Sequence, residues 1–434
     1  MMLEPAADVS RAGTPPDAAV TGHTATFDTA YEWKAVLLLS LAFGLVGLDR
    51  WIIAPLAPAI IADLGFAPES INLLVAVLGV TWGVAALLMG NLSDRMGRRK
   101  VLLPAILAFS LASGLSGLAN GLLIFALIRG LMGVAEGAFA PASFAATAEA
   151  SLPRRRGFNQ GLQQASFALF GLGFGPIIAT QLLQFFSWRV VFLLVAVPGL
   201  ILTLLLARVI REQKHIRASI GQDAPDIAHI RKEHVPIREV LRHRNVPLAM
   251  VGLLCAMCGI FVLSANAPLY LTMELGLSGT QMGFVTSAIG FGGFVGQWGL
   301  PWLSDHLGRK VMAIAGFVLG SAFVVAFMNT GADVPMLFAL LFLATASSFG
   351  LLSLLTGPVA AEAAPHGMIS TAAGLIIGSG EVFGGGLALV VAGWIIASYG
   401  IGAMLYLALG GMVAGAVLML FLHETAPRKL TAAA

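Results

Sequence analysis

Apolar stretches of about 20 residues, each long enough to cross ~30 Å of hydrocarbon as a helix, recur from Trp33 almost to the end of this 434-residue chain. No other feature narrows the possible folds as far. Lipid offers the backbone no hydrogen-bond partner, so only helices and closed barrels can span it. The stretches lack the strict in/out alternation of barrel strands, which leaves an all-α membrane protein. The 51 glycines suit helices that must approach one another closely within lipid. Charged residues make up 11% of the chain, against about 25% in a soluble domain.

Twelve spans are expected, over 34–58, 71–92, 101–120, 121–148, 158–182, 188–209, 247–272, 282–302, 311–329, 334–358, 369–397 and 401–422. A polar segment rich in arginine, 210–246, separates two bundles of six, 33–209 and 247–423. Residues 1–32 read as a disordered cytoplasmic tail rather than a signal peptide, and 424–434 as a second cytoplasmic tail. Basic residues follow every even-numbered span for which a cluster exists: Arg95 to Lys100, Arg154 to Arg156, the 210–246 linker, Arg309 and Lys310, then Arg428 and Lys429. By the positive-inside bias both termini face the cytoplasm. A multi-pass protein of a bacterial inner membrane, expected as a monomer, follows. The net charge of +3 reports orientation within lipid and not a nucleic-acid partner. Cys255 and Cys258 lie in an apolar span without further ligands, so packing is expected of them, and neither a cofactor nor a metal is implied.

An internal repeat supports the two halves. LSDRMGRRK at 92–100 returns as LSDHLGRK at 303–310, a shift of 211 residues, each after the second span of its half. ATAEASLP, ending the fourth span, is echoed by AAEAAP, ending the tenth, which aligns Glu149 with Glu362.

The fuller stretch GNLSDRMGRRK, 90–100, resembles the loop signature of the major facilitator superfamily. RGLMGVAEG, 129–137, resembles that superfamily's fourth-helix signature. Together with LDRWIIAPLAPAI in the first span, the pattern resembles the anion:cation symporter branch, whose members pair Asp-Arg on the first helix with Arg and Glu on the fourth. The resemblance covers nearly the whole chain. It implies twelve helices in two pseudo-repeats that rock about a central site to give alternating access. The loop residues Gly90, Asp94, Arg95, Gly97 and Arg98, with Asp305 and Arg309 in the second copy, are expected to form a conformational latch. Pro301 and His306 replace Gly90 and Arg95 in that copy, which predicts a looser second latch.

Within the spans the informative residues are charged. Asp49, Arg50, Arg129 and Glu136 lie at middle depth, where each charge costs roughly 2.5–3.5 kcal/mol if left in lipid, so they are expected to face a cavity and each other. Arg129 and Glu136, seven residues apart, share one helical stripe. The four charges cancel. An organic anion entering such a cavity would leave one uncompensated negative charge unless a carboxyl group took up a proton. Proton-coupled symport of a small organic anion is therefore expected, with Arg50 and Arg129 as anion contacts. Glu136 is the first choice of proton carrier, Asp49 the second, and Glu381, in IIGSGEVFGGG of the eleventh span, the third. All eight histidines fall in tails, loops or span ends.

Neutral contacts to the anion are expected from Gln163 or Gln164, Asn266, Tyr270 and Ser379, and apolar wall from Trp51, Phe167 and Phe170. The scarcity of hydroxyl and amide groups favours a carboxylate with an apolar or aromatic body over a sugar acid. The alternatives are a drug/H⁺ antiporter, against which two deep arginines argue, and a membrane receptor that binds without transport. No triad, metal-ligand cluster or phosphate loop points to an enzyme.

Overall fold

A computed structural model of the chain describes residues 28–152, 155–211, 237–364 and 369–426. Most of the expected tails (1–27 and 427–434) and of the linker (212–236) thus lie outside the described residues. Among the described residues there is no strand, and twelve helical spans follow one another. They are α1 (Thr29–Leu64), α2 (Ser70–Met96), α3 (Arg98–Ser116), α4 (Leu122–Ala150), α5 (Phe158–Leu182), α6 (Trp188–Val209), α7 (Asn245–Glu274), α8 (Gly279–Leu307), α9 (Arg309–Met328), α10 (Val334–Ala363), α11 (Ala372–Tyr399) and α12 (Ile401–Met419). Ten are long and apolar enough to cross a membrane; α8 and α2, whose apolar part is Ser70–Ala86, complete the set.

Local chemistry sets the boundaries. Asp28 caps α1 by accepting from the Tyr31 N–H at 2.9 Å, so the helix begins inside the stretch expected to be a disordered tail. Glu32 is fully buried there, taking the Leu152 N–H and the Asn159 amide and pairing with Arg155. Further along, α1 breaks at Ile52. Pro55 is the cause, because it has no N–H for the Trp51 carbonyl and its ring crowds that carbonyl.

The repeat is carried by backbone geometry as well as by sequence. Gly65 and Gly276, both at φ 67°, end α1 and α7; Gly97 and Gly308, at φ 98° and 107°, join α2 to α3 and α8 to α9. These left-handed turns need glycine, and 276 − 65 and 308 − 97 both equal 211. The same shift carries Leu169, where α5 turns π-helical over Leu169–Phe174, onto Gly380, where α11 does so over Gly380–Leu387.

Glycine also sets how closely helices cross. The Gly133 and Gly137 faces of α4 lie against the Leu78 and Trp82 carbonyls of α2, the close approach expected of RGLMGVAEG. Between the halves, Gly290 of α8 meets Gly173 of α5, where a methyl group would fall 1.9 Å from the Gly173 nitrogen. The halves touch through α5 with α8, α2 with α11, and the second part of α1 with α7.

Candidate functional site

A cavity of about 340 Å³ lies between the halves where α1, α2, α4 and α5 face α7, α8, α10 and α11. A second hollow, sharing Gln164, Gln297 and Ser353 with it, continues past Trp298, Pro301 and Trp302 to Asp305. The cavity is thus reached from the face that bears the basic loops. Its wall carries seven aromatic residues: Phe43, Trp51, Trp82, Phe144, Phe167, Phe261 and Phe349. Among the described residues its one cation is Arg50 and its one acid Glu381.

Arg50 Nη2 donates to Glu381 Oε2 at 3.2 Å, and both side chains are largely buried. The guanidinium carbon lies 4.9 Å from the Phe261 ring centre, 5.6 Å from that of Trp82 and 5.8 Å from that of Trp51, an aromatic setting that favours a cation. Arg50 Nε and the indole nitrogens of Trp51 and Trp82 are buried without any acceptor among the described residues. Three unmet N–H donors around one cation form a neighbourhood that asks for an anion.

The other three charges expected in the cavity stand behind it. Asp49, Arg129 and Glu136 are fully buried and do not line it. Arg129 Nη1 donates to the Asp49 and Arg50 carbonyls at 3.0 and 3.4 Å, and its guanidinium sits 5.7 Å from both the Phe125 and Phe192 rings. It therefore props the first helix just before its break. Asp49 accepts from the Ser113 hydroxyl at 2.6 Å, while neither oxygen of Glu136 has a hydrogen-bond partner.

Of the neutral candidates, Gln164, Trp51 and Phe167 line the cavity; Asn266, Tyr270, Ser379, Gln163 and Phe170 do not. Gln163 joins α5 to α4 through Thr147 at 2.6 Å and Ser143 at 2.8 Å. Ser379 donates to the Met250 carbonyl of α7 at 3.1 Å and Tyr270 packs on Phe327. Asn266 makes a reciprocal amide pair with Asn72 of α2, at 2.8 and 2.9 Å, at the end away from the basic loops. The common physical reason is that a polar side chain in a transmembrane helix serves as well to join helices as to line a cavity.

The Asn72–Asn266 pair ties the two halves where they close. Asn266→Ala leaves the buried Asn72 amide unpaired, at a cost of about 1–3 kcal/mol, or roughly 5- to 150-fold in the balance between closed and open forms of this end. Labelling of an Ala57→Cys variant by an impermeant thiol reagent should rise accordingly; unchanged labelling would remove the pair's role as a fastener.

The family model for the Major Facilitator Superfamily matches residues 39–384 and 274–434, so that nearly the whole chain is covered. The chain belongs to the major facilitator superfamily. It is a membrane transporter by that membership and not an enzyme. The 4-hydroxybenzoate transporter PcaK of Pseudomonas aeruginosa is 26% identical over 320 residues, covering 67% of this chain and 70% of that protein. The hexuronate transporter of Bacillus subtilis is 25% identical over 280 residues, covering 63% and 65%. Among solved structures, a bacterial homolog of the human lysosomal transporter Spinster, inward-facing and unoccupied, superposes with a TM-score of 0.71 at 17% identity over 90% of this chain and 95% of that one. That likeness concerns the fold alone.

The superfamily loop explains the echo between Glu149 and Glu362. Arg98 pairs with Glu149 at 3.1 Å and with the Ser93 hydroxyl at 3.1 Å; in the second half Arg309 pairs with Glu362 at 2.9 Å, with the Ser304 hydroxyl at 2.6 Å and with Asp305 at 2.6 Å. Gly90 lies within α2, and the side chains of Asp94 and Arg95 are outside those described. The second latch is not loose at Arg309. Glu424, which the sequence reading leaves in a tail, accepts the Arg309 and Lys310 backbone N–H groups at 2.8 and 3.2 Å, and Thr425 donates to Glu362 at 2.6 Å. Burial pushes the Glu424 carboxyl up, but backbone donors from Ala426, Arg309, Lys310 and Thr425 outweigh it and hold it below its usual range. Phe261, Trp82 and Gln297 also line the cavity, and no pattern in the sequence singles them out. Only the 211-residue shift, extended to Leu64-Gly65 and Leu275-Gly276, offered a further signal for the fold.

Proposed function

We propose that this transporter carries a small organic anion, a carboxylate with an apolar or aromatic body, together with a proton, by alternating access. The observation that carries the reading is Arg50: the cavity's one cation among the described residues, set within aromatic rings, with unmet N–H donors beside it. A carboxylate can take the arginine's donors while a flat ring fills the space between Trp51, Trp82, Phe167 and Phe261. The relatives that transport 4-hydroxybenzoate and hexuronate are consistent with an organic acid, and the wall favours the aromatic kind.

Proton coupling follows from charge. Asp49, Glu136 and Glu381 stand against Arg50 and Arg129, so the five groups sum to −1 when all are ionised, and a bound carboxylate makes −2. Moving that much uncompensated charge through a dry site is costly, and protons are the counter-ions at hand. Arg129 serves here by holding the first helix under Arg50. Glu136, Asp49 and Glu381 are the carboxyl groups available to the proton. The latch pairs at Arg98 and Arg309 steady the basic-loop end of each half, and the basic face is taken as cytoplasmic.

Purified protein in liposomes, offered labelled 4-hydroxybenzoate, benzoate, glucuronate and succinate, provides the test. An inside-alkaline pH gradient should speed the initial uptake of the aromatic acids well above that of protein-free liposomes under the same gradient, and dissipating the gradient should abolish the difference. Uptake of the whole panel indifferent to the gradient would sink the reading.

A further inference from the structure

Among the described residues, Arg50–Glu381 is the one ion pair that joins the two halves, and it does so inside the cavity. We infer that Glu381 is a built-in stand-in for the cargo's carboxylate: it occupies Arg50 while the cavity is empty, yields that place to the arriving anion, and leaves as the neutral acid carrying the accompanying proton. The inference rests on the organic-anion reading above and adds to it which group carries the proton.

Three observations lead here. The first is that the pair is built to be exchanged. A single contact at 3.2 Å is longer than the ~2.7–2.9 Å of a strong guanidinium–carboxylate bond, and it lacks the two-pronged form. A free carboxylate that takes two guanidinium N–H groups at once makes a better partner than this single contact.

The second is position. Glu381 sits on the π-helical part of α11, a departure from regular helix that recurs at functional sites. Gly380, Gly384 and Gly385 bring this segment hard against Met257 and Phe261 of α7, so the acid has a firm base beside the cavity. In the other half the shift of 211 puts Phe170 at its place, since 170 + 211 = 381. The acid is therefore an addition to the repeated scaffold and not part of it.

The third is access. A proton that travels with the cargo must be exchanged with water in the cavity. Glu381 lines the cavity and keeps 12% of its side chain exposed, whereas Glu136 and Asp49 are fully buried behind it. Arg50 faces Glu381 from α1; α7 brings only the Cys255 and Cys258 thiols, of which Cys258 turns to the Leu407 carbonyl of α12; the adjoining stretch of α2, Gly79 to Gly83, has no titratable residue, and the neighbouring parts of α11 have none. Arg50 also acts at longer range on Glu136 of α4, but that acid does not line the cavity. Once the cargo holds Arg50, an ionised Glu381 would face a second carboxylate in an apolar wall, and like charges there disfavour both being ionised. A proton from cavity water then bonds to a Glu381 carboxyl oxygen, and no other covalent bond changes.

The test measures protons and anion together on the full-length protein in detergent, using 4-hydroxybenzoate and, in parallel, glucuronate. In weakly buffered solution with a pH dye, wild type should take up one proton per anion bound, and its affinity should fall about tenfold per pH unit on the alkaline side, as one linked proton requires. Glu381→Gln should bind the anion with no proton uptake and no such pH dependence, and in liposomes should exchange anion without accumulating it. A Glu381→Gln protein that still takes up the proton, beside a wild type that does so, overturns the inference and leaves the anion reading standing. A wild type that takes up no proton with either anion loses both. Should Glu381→Gln fail to give a monodisperse protein, Glu381→Asp decides: with the acid drawn back from Arg50 by one methylene it must bind anion more tightly than wild type, and an unchanged affinity would remove the stand-in role.

Discussion

Arg50→Ala should bind organic anions weakly enough that uptake of 4-hydroxybenzoate falls to the level of empty liposomes. Truncating one side of a buried, hydrogen-bonded charge pair costs about 2–5 kcal/mol, which is roughly 30-fold to several-thousand-fold in Kd. Among the described residues no second cation lines the cavity to replace it. Arg50→Lys keeps the charge but loses the planar fork and its stacking on Phe261 and Trp82, so a smaller loss is expected. One confusion must be excluded, because Arg50→Ala also strands Glu381 without its partner. The double variant Arg50→Ala/Glu381→Gln removes that stranded charge. If the arginine itself holds the anion, the double variant stays as weak as the single one; recovery of wild-type affinity would mean that only the stranded acid had been excluding the cargo. Isothermal titration of the purified variants measures both.

The limits of the sequence reading have a physical pattern. Features set by covalent geometry or by end effects were legible: the echo that aligns the partners of Arg98 and Arg309, the glycine turn at Gly97 and its copy at Gly308, and the close helix crossing at Gly133 and Gly137. Arg50 was legible because an uncompensated charge in lipid must find a cavity. What periodicity could not give was facing. α7 is apolar all round and buried for most of its length, so nothing along it tells the side of Asn266, which joins α2, from the side of Phe261, which lines the cavity. Adjacent residues diverge in the same way: Gln163 turns into the N-terminal half and Gln164 into the cavity, about 100° apart on one helix. The π-helical stretches of α5 and α11 shift the register further, and Glu381, the third choice of proton carrier, stands on the second of them in contact with Arg50. Likewise the shared stripe of Arg129 and Glu136 places them together but not in the cavity, since the stripe packs inside its own half.

That inner placement leads to the other large effect expected. Arg129→Met should cost more stability than any change in the cavity wall. The Asp49 and Arg50 carbonyls lose their donor just before the break made by Pro55, and the fully buried Asp49 and Glu136 lose the charge of a nearby cation. Breaking such buried compensation costs about 3–5 kcal/mol, because the charge left behind cannot reach water. Transport by the single variant would be lost for this reason alone, so activity cannot tell scaffold from anion contact. A cycle can. Arg129→Met/Glu136→Gln removes one buried acid along with the arginine, and if charge compensation is what Arg129 supplies, the double variant should recover a large part of the lost thermal stability. Arg129→Met/Arg50→Ala should recover none, since it deepens the excess of acid. Melting of the detergent-solubilised variants, followed by the intrinsic fluorescence of the seven tryptophans, reads the order directly. Equal melting of Arg129→Met and wild type, or no gain from the added Glu136→Gln change, would return Arg129 to the list of direct contacts with the anion and would move the centre of the binding site from the cavity wall into the N-terminal half.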